Sequence, residues 1–112
     1  DGRRDIISAR DVGRAVAAAV LAAPEQVRER VFNVGTGHPT ALRDLVHTVL
    51  RESGSSAALV EGTLPGSARS AAVLDAVPAV HRARATLGWV AHDDVATAVR
   101  DALAGSGLRR AS

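Results

Sequence analysis

Apolar positions in this chain fall into two kinds of pattern: stripes at helical spacing, and short runs bounded by turn residues. Val12, Ala15, Val16, Ala19, Val20 and Ala23 recur on one helical face. Asp11 precedes them as an N-cap and Pro24 stops them, which predicts a helix over 11–23. Leu42, Leu45, Val46, Val49 and Leu50 make the cleanest stripe. It predicts a helix that opens on Thr40 as its cap and runs to about Glu52, where Ser53-Gly54-Ser55-Ser56 ends it. His81 to Leu87, closed by Gly88, reads as a short helix, and Val95, Val99 and Leu103 stripe a last one over about 93–104. Strand-like runs are brief: 5–9, 31–34, 57–60 and 71–74. Residues 25–30 read as a charged, exposed connector, and residues 62–66 as a loop around Pro65. The segment 105–112 reads as a disordered tail behind a single unit over 1–104.

The most informative stretch is Val31-Phe32-Asn33-Val34-Gly35-Thr36-Gly37-His38-Pro39-Thr40. A strand-like run containing the chain's single Phe breaks at two glycines one residue apart, then enters the helix behind Thr40. Gly35 and Gly37 allow backbone angles and close approaches that a side chain forbids. The Asn33 amide is expected to fix the turn. The fold class that emerges is α/β, short strands alternating with helices, without enough strands for a complete parallel sheet. Open sheet edges and an alanine-rich first helix that is flat on two sides suit a lobe packed on a larger body.

Composition narrows the function. A chain of 112 residues is one domain at most, and its apolar 46% is mostly Ala and Val, with aromatics at only 2%. With no Cys there is neither a disulfide framework nor a thiolate metal site, so a reducing cytoplasm is the expected location. No apolar run approaches the ~20 residues of a membrane span. The opening Asp-Gly-Arg-Arg, in place of Met, suggests a piece of a longer chain.

All 14 basic residues are Arg, against 12 acids, for a net charge of +2. The high isoelectric point, near 10.9, therefore reflects late-titrating bases and not a strongly positive surface. The arginines are dispersed and lack interleaved aromatics, which argues against a nucleic-acid partner. His38, His47, His81 and His92 lack metal-site spacing, and Asp93-Asp94 reads as a helix cap. Trp89 reads as a hydrophobic anchor for the last helix. Ser53-Gly54-Ser55-Ser56 has no His-Asp framework around it.

Three segments, in order, resemble the C-terminal portion of the extended short-chain dehydrogenase/reductases, the nucleotide-sugar epimerase/dehydratase family. Arg4-Asp5-Ile6-Ile7-Ser8-Ala9-Arg10-Asp11-Val12 is similar to the family's Arg-Asp-Phe-Ile-His-Val-Asp-Asp-Val. Phe32-Asn33-Val34-Gly35-Thr36-Gly37 is similar to its Tyr-Asn-Val-Gly-Thr-Gly turn. Arg82-Ala83-Arg84-Ala85-Thr86-Leu87-Gly88-Trp89 is similar to its Lys-Ala-Arg-Arg-Glu-Leu-Gly-Trp signature. The resemblance spans roughly residues 4 to 104. It departs where Leu64-Pro65-Gly66-Ser67 stands in place of Arg-x-Gly-Asp, and where Ser8 replaces the common His.

The resemblance implies a substrate-binding lobe of a Rossmann-type enzyme, with isomerase or oxidoreductase chemistry in the parent. Such a lobe holds a nucleotide-sugar while the parent's N-terminal Rossmann domain binds NAD or NADP. It is also compatible with homo-oligomers. It makes Arg4 a contact to the nucleotide diphosphate, for which a guanidinium's paired donors are suited, and Arg69 the candidate for the second such contact. Read from the residues alone, Arg4 could equally be a surface arginine paired with Asp5 or Asp11.

The chain lacks the family's Gly-x-x-Gly-x-x-Gly loop, and with no Lys and no Tyr it cannot hold the family's Tyr-x-x-x-Lys. It is therefore expected to bind no cofactor and catalyse nothing alone, and no catalytic or metal-ligating residue is assigned. Two other classes stay open: a free-standing binding or protein-interaction module derived from the lobe, and a small basic nucleic-acid-associated protein.

Overall fold

The computed structural model describes residues 2–28, 30–62 and 75–107. The element order is β1 (Arg3–Asp5), α1 (Ala9–Leu21), α2 (Pro24–Val27), β2 (Pro39–Ala41), α3 (Leu42–Ser53), β3 (Asp75–Ala76), α4 (His81–Leu87) and α5 (Val95–Gly105). The strand expected over 71–74 and most of the loop over 62–66 lie outside the described residues, as does the end of the tail.

The three short strands form one mixed sheet in the order β2-β1-β3. β1 runs antiparallel to β2, with Arg4 opposite Thr40 and Asp5 opposite Pro39, and parallel to β3, with Arg4 opposite Ala76. Residues 31–34, expected as a strand, are in no ladder among the described residues. They run beside the core, where Phe32 and Val34 pack on the cluster of Ala15, Ala83 and Trp89. Val31 and Asn33 point outward and are exposed. The alternation is that of a strand, but no described segment supplies the other half of the hydrogen bonds. Residues 57–60 are likewise outside any ladder.

The helices follow their apolar stripes, while their ends depend on particular caps. At α1 the cap is Ser8, whose Oγ accepts from the Asp11 amide at 2.9 Å, so the helix starts earlier than an Asp11 cap allows. At α3 Thr40 lies in β2 and the N-cap is Ala41, which has no side-chain acceptor. The expectation that Thr40 caps α3 therefore fails: strand pairing with Arg4 holds its backbone. Pro24 does more than end α1, because its fixed φ suits the first turn of α2, and the Gln26 side chain accepts from the Ala23 amide.

Gly54 and Gly88 close α3 and α4 in the left-handed conformation, at φ +70° and +64°. Gly88 reverses the chain so that the Trp89 amide reaches back to the Ala83 carbonyl and the indole lands on the core. Asp94 caps α5, accepting from the Thr97 amide at 2.8 Å.

α1 packs on α4, and α3 on α5. Trp89 therefore anchors the first helix pair and not the last helix. The molecule extends 51 × 36 × 18 Å, with a radius of gyration of 16.8 Å, against about 13 Å for a compact domain of this length. It is a slab with a thin core. From Ala15 to Leu21, α1 carries no polar residue, yet Val16, Val20 and Leu21 are 59%, 76% and 85% exposed.

Candidate functional site

The glycine turn is held by a carboxylate from β1. Asp5 Oδ1 accepts from the Thr36 amide at 3.0 Å and from the Thr36 hydroxyl at 2.5 Å, while Oδ2 accepts from the Gly37 amide at 2.8 Å. The Thr36 hydroxyl oxygen in turn accepts from the His38 amide at 3.0 Å. Successive amides converging on an anion form the kind of concavity that binds phosphate in other proteins. Here the anion is part of the chain, so those amides are not available to a dinucleotide phosphate.

Both glycines are required, for different reasons. Gly37 sits at φ +77°. At Gly35, a Cβ would lie 2.5 Å from Pro78 Cγ and 2.7 Å from Asp5 Oδ2. Gly35 is thus the point where the segment before β1's partner turn and the segment after β3 come too close for any side chain.

Asn33 shows no contact to this turn among the described residues. It is exposed, and its amide makes no hydrogen bond among the described residues; Asp5 does that work instead. Thr40 is the cross-strand neighbour of Arg4. Arg4 is half-buried in the middle strand, and its guanidinium donates to the Arg3 carbonyl at 2.8 Å. Of the two acids open to it as a surface arginine, Asp5 also holds the turn and Asp11 bonds Arg14. Arg69 and the Leu64-Pro65-Gly66-Ser67 segment lie outside the described residues.

A second carboxylate, Asp11, is fully buried. Its Oδ2 accepts from the amides of His92 and Asp93 at 3.0 and 2.8 Å, and its Oδ1 from Arg14 at 2.8 Å. Its backbone carbonyl accepts the Trp89 indole N–H at 3.1 Å. Burial alone raises the Asp11 carboxyl, but the Asp93 and His92 amides and the Arg14 guanidinium outweigh it and hold it below the usual carboxylate range. Ser8, also buried, donates to Asp93 Oδ2 at 2.7 Å. Ser8 and Asp11 thus tie the start of α1 to the loop that enters α5.

Neither carboxylate role was read from the sequence, although a signal existed. For Asp11 it is that an Asp within an apolar helix start must find donors.

Between the glycine turn and the 89–94 loop lies a groove of about 250 Å³, lined by Thr36, His38, Arg84, His92, Asp93 and Asp94 over a floor that includes Trp89. The His38 ring is oriented by a 3.0 Å contact from Nδ1 to the Thr36 carbonyl. The Thr97 amide, held by the Asp94 carboxylate, keeps that acid below its ordinary pKa. Among the described residues, no three His, Asp or Glu side chains are placed to hold a metal ion. No described helix is long and apolar enough to cross a membrane.

Over 91% of its length the chain superposes on UDP-glucose 4-epimerase from Bifidobacterium longum, solved in complex with NAD+ and UDP, with a TM-score of 0.68 and 20% sequence identity. The two share a fold over that stretch. This chain spans 29% of the epimerase chain. No protein-family model matches the sequence, and no curated protein matches it.

Proposed function

We propose that this chain is the substrate-binding portion of an NAD(P)-dependent nucleotide-sugar epimerase, dehydratase or reductase, and that it acts only together with a dinucleotide-binding domain of the same parent polypeptide. The fold shared with a UDP-glucose 4-epimerase across 91% of the chain carries this proposal. The flat shape and the all-apolar half of α1 support it, because a helix that is hydrophobic all round belongs in an interior. A second layer over Val16, Val20 and Leu21 would cover that face.

In this reading Arg4 holds a diphosphate oxygen of the nucleotide-sugar, and Arg69 supplies a second contact. The nicotinamide cofactor would carry the hydride. The residues described here do not fit it: the only glycine-rich turn spends its amides on Asp5. With no Tyr and no Lys in these 112 residues, the proton-transfer groups also belong to the remainder of the parent. What this portion contributes is orientation of the sugar.

The test is the intact mass of the natural polypeptide together with a calorimetric titration of it with UDP. A polypeptide roughly three times this length, as the 29% coverage implies, that binds UDP supports the proposal. A natural polypeptide of this length that binds no UDP overturns it in favour of a stand-alone interaction module.

A further inference from the structure

We draw no further inference here: the strongest candidate, the groove between the glycine turn and the start of α5 lined by Thr36, His38, Asp93 and Asp94, is an acidic cluster at a helix N-terminus whose carboxylates already serve Ser8, Arg14 and Thr97, and nothing in the structure shows what would fill it.

Discussion

Replacing Asp11 by Ala should destabilise the fold more than any other single truncation of a polar side chain. The carboxylate is fully buried, and it is the acceptor for two backbone amides, at His92 and Asp93. Each amide left without a partner costs about 1–3 kcal/mol. Arg14 loses less, because it is partly in water and keeps Asp93 at 3.6 Å. The two amides together come to about 2–6 kcal/mol, a large part of the roughly 5–15 kcal/mol that holds a typical domain together.

Asp11→Asn keeps the shape and one oxygen for the amides but turns an N–H₂ toward Arg14, so its loss should be nearer 1–2 kcal/mol. Trp89 is the only Trp, there is no Tyr, and its indole is bonded to the Asp11 carbonyl. Its fluorescence in a urea titration therefore reports unfolding at the start of α1, beside the carboxylate. An Asp11→Ala chain that unfolds at the wild-type urea midpoint would refute the reasoning.

The same residue sets an acid limit. Its pKa is depressed in the fold, so the unfolded chain takes up the proton first and the stabilisation is complete above the unfolded carboxylate value, near ~3.9. It is lost as pH falls through the lower folded value. Wild-type chain should lose stability below about pH 4 by a component that Asp11→Asn lacks. Equal acid slopes for the two proteins would remove Asp11 from that limit.

Gly35→Ala places a methyl group against Pro78 and Asp5 and should cost about 1–3 kcal/mol as overpacking; an unchanged thermal midpoint would show that Pro78 yields freely. Asp5→Ala should speed hydrogen exchange at the Thr36 and Gly37 amides, which lose their acceptor, and formate or acetate added at high concentration should restore part of the protection. Exchange identical to wild type would mean the turn holds itself. In the natural polypeptide, Arg4→Ala should weaken UDP binding by about 1.5–3 kcal/mol if the guanidinium holds a charged oxygen, read by calorimetry; unaltered affinity takes Arg4 out of the site.

What the sequence made legible was local. α4 runs over His81–Leu87 as its spacing and Gly88 indicate, and α3 and α5 begin and end within a residue or two of their stripes. Those signals lie within one or two turns of chain, where spacing and a terminal glycine suffice. Strands fared worse because a strand is made by its partner. Residues 31–34 have the alternation and no ladder among the described residues, while β1 was found two residues before its expected start, where β2 and β3 flank it. The site divided in the same way. The need for Gly35 and Gly37 is written in the turn itself, but the reason at Gly35 is the side chain of Pro78, 43 positions on. Asp5 and Asp11 could not be assigned from neighbours, since the backbone amides they hold are 31 to 82 residues away; Asn33 and Thr40 were given their work because they stood closer.

The distance between Asp11 and its donors has a consequence for a chain made from one end. Residues 5–11 leave the ribosome well before their partners: the His92 amide follows Asp11 81 residues later, an interval of roughly 4–16 s at ordinary elongation rates. During that time Asp11 stays hydrated, and Ala15 and Ala18 of α1 have neither Trp89 nor Ala83 to pack on. The native arrangement can lock only when the last quarter of these residues emerges. Any truncation before Trp89 should therefore leave a nascent segment that is retained by chaperones and cleared by proteases, not a smaller folded domain.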